Sequence, residues 1–376
     1  MKIESVKATL LKVPYPLPFE AAWEPGVIRN DRDVTVVRVQ ADSGLVGWGA
    51  SGFDQADDIN ILAAPHLVGE DPFAFERHAR ITRYAKGAWI VEMALCDLVG
   101  KAAGLPLAKL WGRYADRIPA YASIVAAKSP AERADDALEL LERGYRAIKL
   151  RAHAPSIADD IEMVEKVRAA VGDRMEIMVD ANQAGAASGP IKHPGDPIVW
   201  DYDRALATAR AYEQLGVYWL EEPLPRYDLQ AIARLTDAVE LKIAGGEGNA
   251  GLHEFYWMLD AGAYDIIQPD AATCEGVWQL RKLAAACERA GKLFIPHHGA
   301  NGIALAAHLQ LQASVPNSPW VEYIIDPPWR TIESYQQLYG VMRDPLLIDA
   351  DGCLPVPQGP GLGIAVDENA IARMAV

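Results

Sequence analysis

A regular repetition between residues 118 and 324 constrains the fold more than any other feature of the sequence. Short apolar segments recur eight times there, and the amphipathic stretches between them often end in a glycine that suits a helix C-terminus. Strands that alternate with helices indicate parallel βαβ units, and eight such units close into a (β/α)8-type barrel. An open doubly wound sheet fits less well, because no glycine-rich phosphate loop follows the first segment. The segments are IPAYASI, YRAIKL, MEIMVD, VYWLEE, LKIAGGE, YDIIQPD, KLFIPHH and PWVEYI.

The residues on either side of this repeat follow other patterns. The segments ESVKATLLKV and DVTVVRVQADSGLVGWGA alternate like antiparallel strands, and residues with helical spacing follow them. The last part of the chain is punctuated by proline and glycine and contains no further barrel unit. We therefore expect an α+β unit over residues 1–115, a barrel over 116–340, and a segment over 341–376 that returns to the first unit.

Composition limits the partners and the location of the protein. The chain has 376 residues, and 51 acidic against 36 basic side chains give a formal net charge of −15. Such a chain is a poor candidate for binding nucleic acid or an anionic membrane. The sequence has no signal-peptide pattern, no apolar run of about 18 residues, and no CxxC pair among its four cysteines. We therefore expect a cytoplasmic protein with reduced thiols and with no nucleic-acid or membrane partner.

Polar residues close most of the apolar segments, at the position where barrel enzymes carry their active sites. Catalytic residues of such barrels lie at the carboxyl ends of the strands. Successive positions from Glu221 onwards lie about one βα unit apart, so their side chains should converge on one rim. The preceding interval is longer because a Gly/Pro-rich insertion occupies residues 184–199. The polar residues are Lys149, Arg151, Asp180, Glu221, Glu222, Glu247, Asp270, His297, His298 and Glu322.

Three of these residues indicate a metal site. Asp180, Glu221 and Glu247 close consecutive strands, and their carboxylates would repel one another strongly in a closed pocket. A divalent cation relieves that repulsion, and ligands that are all oxygen favour Mg²⁺. The alternative is that some of these acids cap helices or face solvent at the rim.

The sixth and seventh strands indicate a general base. Asp270 and His297 close these two neighbouring strands, and a carboxylate that orients an imidazole makes the other ring nitrogen basic. His298, the next residue along the strand, should point to the opposite side from His297. His308 falls in a helical stretch, and we interpret it as structural.

A basic pair closes the second segment. Lys149 and Arg151 are two residues apart, so they face the same side of a strand. Opposite three acids, they can neutralise and orient a substrate carboxylate, and arginine offers a bidentate fork. Alternatively, they serve only as counterions of the acidic rim.

The ordered set of short motifs resembles the mandelate racemase subgroup of the enolase superfamily. EMALCDLVGKAAGLPLAKLWG is similar to the end of the capping domain of that family, and the resemblance spans nearly the whole chain. It implies a modified (β/α)7β barrel with an N-terminal α+β capping domain that the C-terminal tail completes. The other motifs are AIKLR, VDAN, WLEEP, AGGE, QPD, IPH and GPGLGI.

The resemblance also implies a chemistry. One Mg²⁺ per subunit would be held by the three acids named above and would bind a small-molecule carboxylate substrate. The proton α to that carboxylate would be removed to give an enediolate, with Asp270 and His297 as the catalytic dyad. Glu322 matches the acid that hydrogen-bonds the reacting carboxylate, and we expect it to be protonated there. Asn182 falls where the family places a polar contact to the reacting region. The family also suggests a homo-oligomer.

One departure from the family pattern narrows the reaction. Racemising members commonly have KxK, whose second lysine is a base on the face opposite the histidine, and here that position is Arg151. No lysine lies between Lys242 and Lys282, so the sixth-strand lysine of cycloisomerising members is also missing. Arginine stays charged and is a poor base. A single competent base favours a lyase that dehydrates an acid sugar, an aldonate or aldarate, to a 2-keto-3-deoxy acid.

Other functions remain open at this point. An epimerase, a racemase or a sugar-lactone cycloisomerase would use the same enediolate. A non-catalytic protein that binds a metal or ligand on this barrel is the remote alternative.

The substrate loops are the least constrained part of the sequence. Trp23 and Phe53, in loops of the capping domain, are candidates to contact the distal end of the substrate. Lys192 and His193, in the insertion over residues 184–199, are candidates for a further wall. Exposed loop residues without a binding role are the alternative for all four.

Overall fold

The N-terminal part of the computed structural model, which describes residues 1–185 and 199–376, is a three-stranded antiparallel meander. Alternating, β-branched residues form its strands β1 (Ile3–Glu20), β2 (Ile28–Ala41) and β3 (Val46–Ala50). The long apolar helix α3 (Trp89–Ala103) packs on the sheet at Gly47, where an added Cβ would lie only 2.0 Å from a helix carbonyl. Glycine at this position therefore permits the close approach of helix and sheet.

Eight parallel strands follow and form the barrel. They lie side by side in chain order from β4 to β10, and β11 pairs with β4 on the other side. This arrangement confirms the predicted eight segments and the barrel fold class. The strands are β4 (Arg117–Ser123), β5 (Ala147–Arg151), β6 (Glu176–Asp180), β7 (Trp219–Glu221), β8 (Lys242–Gly245), β9 (Ile266–Ile267), β10 (Leu293–Phe294) and β11 (Val321–Ile324).

Helices cover the outside of the barrel. Several begin at a side-chain cap, as α5 does with a capping box between Ser129 and Glu132. The barrel helices are α5 (Pro130–Glu142), α6 (Ile157–Val171), α7 (Tyr202–Gln214), α8 (Leu229–Ala238), α9 (Leu252–Ala261), α10 (Val277–Arg289) and α11 (Gly302–Gln312). The other helices are α1 (Ala64–Leu67), α2 (Phe75–Tyr84), α4 (Leu107–Leu110) and α12 (Glu368–Met374).

The inside of the barrel is filled by its own layer of side chains. Tyr121 and Trp219 meet edge to face there, with their ring centroids 5.2 Å apart. Because this layer is solid, the strand ends above it form the floor of a pocket rather than the mouth of a channel. The buried members of the layer are Tyr121, Ala147, Met178, Trp219, Ala244, Ile266 and Ile295.

The C-terminal segment contacts both parts of the chain. Its first strand, β12 (Cys353–Pro355), pairs antiparallel with β4 of the barrel. Further on, the Leu362 amide donates to the buried carboxylate of Asp97 in α3, and the Val376 amide donates to the Leu10 carbonyl oxygen in β1. The last residues thus contact the N-terminal unit, whereas 353–355 pair with the barrel sheet. The exact domain boundaries stay a prediction.

All four cysteines are free thiols, and three of them are buried. Across residues 1–185 and 199–376, no helix combines the length and the apolar character that crossing a bilayer requires.

A buried glutamate joins the capping domain to the barrel. Glu92 of α3 accepts a hydrogen bond of 2.8 Å from the Trp278 amide at the start of α10. An added Cβ at Gly276 would overlap the Glu92 carboxylate, so glycine is required there. Burial is the main reason that the pKa of Glu92 rises to about 8.

We predict that Glu92→Gln reduces the pH dependence of stability. The pKa of Glu92 in the folded protein lies above the usual value of 4.5. Between pH 4.5 and about 8, the folded protein therefore keeps a proton on Glu92 that the unfolded chain has lost. The free energy of unfolding of the wild type should therefore fall as pH rises from 4.5 to 8. Glutamine keeps the acceptor without the charge, and should raise stability at pH 8 by about 1 kcal/mol or more.

Urea denaturation at several pH values between 5 and 8 measures this effect. The matched control is Glu288→Gln, an exposed position on α10, which should keep the slope of the wild type. Equal slopes for wild type and Glu92→Gln would contradict the prediction.

Candidate active site

A cavity of about 1010 Å³ lies between the carboxyl ends of the barrel strands and the loops of the capping domain. The strand-end residues predicted from the sequence surround its floor. At the strand ends, those that line the cavity directly are Arg151, Asn182, Glu222, Glu247 and His297, and the capping-domain loops add Trp23 and Phe53. Those buried beneath it are Lys149, Asp180, Glu221, Asp270 and Glu322.

The three predicted acids converge at this floor. One carboxylate oxygen from each of Asp180, Glu221 and Glu247 lies within 4.8 Å of the other two. The strand register produces this, because Asp180 of β6 pairs with Glu221 of β7. Burial, and then the neighbouring Asp180, raise the pKa of Glu221. A hard divalent cation fits this set of three oxygen donors and would relieve that repulsion.

Lys149 supplies a compensating positive charge. Its buried ammonium lies 2.9 Å from one oxygen of Glu221, 2.9 Å from Glu322 and 3.7 Å from Asp180. Burial alone would lower the pKa of Lys149, but these carboxylates outweigh it and raise the pKa above the usual value of 10.5. Lys149 is therefore a fixed positive charge rather than a proton acceptor at neutral pH.

Arg151 is fully engaged by the protein. Its guanidinium pairs with Asp180, donates to the Ile124 carbonyl oxygen at 2.8 Å, and stacks on the Trp23 ring at 4.9 Å. Burial opposes its charge, yet the surrounding carboxylates, led by that of Asp180, keep the pKa above the usual value. The guanidinium that the sequence predicts to bind a substrate carboxylate is thus paired with Asp180, a predicted metal ligand.

Asn182 makes similar contacts. Its side-chain amide donates to Asp180 at 3.0 Å, and its oxygen accepts from Arg151 at 3.1 Å and from His153 at 3.0 Å. The amide therefore orients Asp180. A contact from Asn182 to substrate stays a prediction.

The predicted dyad is formed. His297 Nδ1 lies 3.0 Å from Asp270 Oδ2, which places the Nδ1 proton towards the carboxylate and leaves Nε2 facing the cavity. Nε2 lies 3.1 Å from Glu247. Burial would lower the pKa of His297, but Glu247, Glu322 and Asp270 raise it to about 10. A cation held by Glu247 would offset the first of these charges and so bring the pKa of His297 back towards the range of a general base.

Two further histidines lie behind the dyad. His308 is structural, as predicted, but it also supports the dyad, because its Nε2 accepts from the Ala271 amide at 2.9 Å and lies 3.5 Å from Asp270. His298 does point away from the cavity, and its ring lies against His308. Burial, and then His308, lower the pKa of His298 to about 3, so both act as neutral packing groups.

The contacts of Glu322 differ from one prediction. The family resemblance predicts that this acid is protonated. Its carboxylate instead lies against the Lys149 ammonium and accepts a hydrogen bond of 2.9 Å from the His298 amide. Burial favours the neutral acid, yet Lys149 outweighs it and holds the pKa of Glu322 well below the usual range. Glu322 is therefore ionised in this arrangement.

The loop residues divide into two groups. Trp23 and Phe53 both line the cavity, and Phe53 is 57% exposed at its edge. Lys192 and His193 lie outside the described residues. Contact of these four with a substrate stays a prediction.

Sequence reasoning missed several residues that complete the floor. Trp219 Nε1 and Gln268 Nε2 both donate to Glu221, at 3.1 and 3.0 Å. Gln268 belongs to the QPD motif, Trp219 lies two residues before Glu221 on β7, and His153 lies two residues beyond Arg151 at the end of β5. That spacing is the signal that could have revealed them.

Glu222 is among the strand-end residues named from the sequence, but the sequence gives it no role. Its carboxylate is buried beside the three acids, and burial followed by Glu247 raises its pKa well above the usual value. It follows Glu221 in a left-handed backbone conformation, with a φ of 45°. Burial and the charge of Glu247 thus disfavour the ionised form of Glu222, and a cation at the floor would offset that repulsion.

The fold and the site together define a class of two-domain barrel enzymes that have an acidic, metal-binding floor. Comparison with known proteins agrees. Residues 5–112 match the mandelate racemase / muconate lactonizing enzyme N-terminal domain, and residues 132–370 match the enolase C-terminal domain-like family. The chain belongs to the mandelate racemase / muconate lactonizing enzyme subgroup of the enolase superfamily.

Several characterised relatives cover almost the whole chain. D-galactarolactone cycloisomerase from Agrobacterium fabrum is 30% identical and covers 99% of this chain and 98% of its own length. L-talarate/galactarate dehydratase from Salmonella typhimurium is 29% identical, with coverages of 98% and 90%. A racemase from Streptomyces coelicolor A3(2) with bound magnesium superposes with a TM-score of 0.84 at 27% identity and covers 100% of both chains. The relatives thus include lyases and isomerases, so they establish an enzyme without distinguishing these two classes.

We predict that Mg²⁺ raises the melting temperature of the protein through the acidic triad, since a cation that binds only the folded state stabilises it. Glu247→Gln should abolish most of that rise while the protein still folds, because Glu247 is the partly exposed member of the triad. Differential scanning fluorimetry with increasing Mg²⁺ measures the effect.

The control for this experiment is Asp260→Asn, an exposed position on α9. It should respond to Mg²⁺ like the wild type. A full response in Glu247→Gln, or none in the wild type at millimolar Mg²⁺, would contradict the assignment of the site.

Proposed function

We propose that the protein is a Mg²⁺-dependent acid-sugar dehydratase that converts an aldonate or aldarate to a 2-keto-3-deoxy acid. The observation that carries this proposal is the asymmetry of the cavity floor. His297 presents Nε2 to the cavity, whereas the position of a second base is Arg151, whose guanidinium pairs with Asp180. A site with one base removes a proton from one face, which favours elimination over inversion at the α-carbon.

Three residues have separate roles in the first step, which removes the proton α to the substrate carboxylate. His297 Nε2 accepts the proton α to the substrate carboxylate, while Asp270 holds the ring and stabilises the imidazolium that results. Lys149 contributes a fixed positive charge near the oxygens on which negative charge accumulates in the enediolate. When Mg²⁺ is bound by Asp180, Glu221 and Glu247, it supplies further positive charge to the substrate carboxylate.

The second step expels the β-hydroxyl group as water. The electron pair of the broken C–H bond forms the enediolate, which then expels the β-hydroxyl group as its C–O bond breaks. The His297 imidazolium donates its proton to that departing oxygen, so that water leaves and the imidazole returns to its neutral form. The enol product takes a proton at carbon from solvent and loses one from oxygen, which gives the 2-keto-3-deoxy acid.

A sugar-lactone cycloisomerase is the second candidate. The observation in its favour is the similarity to D-galactarolactone cycloisomerase. The same single base would serve it, with a ring oxygen as the group expelled in place of a hydroxyl. Epimerisation or racemisation requires a proton donor on the opposite face, and Arg151 is poorly suited to that role.

Partners and location are part of the proposal. We propose a small-molecule carboxylate as substrate, a homo-oligomeric assembly and a place in the cytoplasm. The acidic character of the chain, with a net charge of −15, speaks against nucleic acid as a partner.

We predict that His297→Asn lowers dehydration by a factor of about 10² to 10⁴, the usual contribution of a general base. Proton NMR in D₂O with Mg²⁺ and a panel of aldonic and aldaric acids measures this. The wild type should produce new 3-deoxy methylene signals from at least one acid, and His297→Asn should produce almost none.

The matched control is His253→Asn, an exposed histidine on α9, which should retain the rate of the wild type. Exchange or inversion at the α-carbon without methylene signals would show an isomerase instead. Unchanged dehydration in His297→Asn would exclude the one-base scheme.

A further inference from the structure

Two guanidinium groups meet at one wall of the cavity. Arg32 comes from β2 of the capping domain, and Arg330 comes from the segment that follows β11 of the barrel. Both lie over the ring of Tyr335, with Cζ atoms 4.2 and 4.7 Å from its centroid. All three residues line the cavity that His297 also lines. The mechanism described above uses none of them.

Arg32 is held in place by the protein. It donates to the carbonyl oxygens of Ala300 and Tyr335, at 2.7 and 3.0 Å. Burial, and then the charge of Arg330, lower the pKa of Arg32 to about 10. Two positive charges are thus placed close together at a cost that an anion between or beside them would offset.

Arg330 has hydrogen-bond donors that lack an acceptor in the described part of the chain. Its Nη2 donates to the Tyr15 hydroxyl at 3.0 Å, and the guanidinium also lies 4.8 Å from the Tyr15 and Phe19 rings. Its Nε and Nη1 are buried and have no hydrogen-bond partner within residues 1–185 and 199–376. A buried donor without a partner costs free energy, so this arrangement indicates a missing acceptor.

Two of the carboxylates that line this cavity are paired with other residues. Asp33 forms an ion pair with Lys12 at 2.7 Å, and Glu24 forms one with Arg29 at 2.8 Å. In the same described ranges, no ion pair to Arg330 is found. The guanidinium is therefore available to an anion that enters the cavity.

We propose that Arg330, supported by Arg32, binds a second carboxylate at the distal end of the substrate, so that the enzyme prefers aldaric acids to aldonic acids. The inference rests on the proposed function, because the first carboxylate is taken to lie at the acidic floor beside His297. A charge-assisted hydrogen bond in a buried pocket discriminates strongly, since an uncharged hydroxymethyl group would leave the guanidinium without its counter-charge.

The test compares galactarate with galactonate, which differ only in whether the distal carbon is a carboxylate. Steady-state kinetics should show that the wild type has a kcat/KM at least about 10²-fold higher for galactarate. Arg330→Gln should lower the galactarate value by a similar factor, mainly through KM, and should change the galactonate value far less. Arg330→Lys, which keeps the charge, should fall between the two. Arg343→Gln, an exposed arginine paired with Asp367, is the control and should change neither value.

Binding measurements separate this inference from the proposed function. Isothermal titration of both acids into the His297→Asn variant, with and without Arg330→Gln, reports affinity without turnover. Tighter binding of galactarate that depends on Arg330, with no turnover of any acid by the wild type, would support the subsite and overturn the proposed function. Dehydration without a preference between the acids would overturn the subsite alone.

Two other outcomes would also overturn the subsite. One is equal affinity for both acids, or no measurable affinity for either. The other is tighter binding of 6-phosphogluconate than of galactarate, since that would assign the two guanidinium groups to a phosphate.

Discussion

The contact between one buried lysine and the acids around it is the interaction on which the rest of the site depends. Lys149 lies within 3 Å of both Glu221 and Glu322, at the bottom of a pocket that also contains Asp180. Such a group of buried charges is costly to desolvate unless every member is paired. Lys149 cannot balance all the carboxylates alone, and the excess negative charge is what makes the floor suited to a divalent cation.

The geometry of the barrel explains why these groups meet. The interior layer, packed around Tyr121 and Trp219, fills the barrel below the site, so the side chains at the strand ends must point into the cavity above. The capping domain then closes that cavity and contributes Trp23, which stacks on Arg151, and Arg32, which reaches the barrel at Ala300. The floor thus comes from the barrel, and the wall comes both from the capping domain and from the segment after β11 that carries Arg330.

Much of this site could be predicted from the sequence, because strand-end residues repeat with the βα unit. The triad and the pair Asp270–His297 are brought together as the spacing indicates. The protonation states of these side chains, and the partners that they contact, could not be predicted from this spacing. Arg151 follows the strand alternation, but its pairing with Asp180 depends on three-dimensional contacts. The ionised state of Glu322 likewise depends on the distance to Lys149. Arg330 comes from a segment without periodicity, and only the fold places it beside Arg32.

The proposed reaction depends on one base that acts on one face of the substrate. Two acids that differ only in configuration at the α-carbon test this, each incubated with enzyme and Mg²⁺ in D₂O. With one base, a single epimer should lose its α-proton and be dehydrated, while the remaining substrate of both epimers keeps its configuration. Incorporation of deuterium into both epimers, or conversion of one epimer into the other, would require a second base and exclude the one-base scheme.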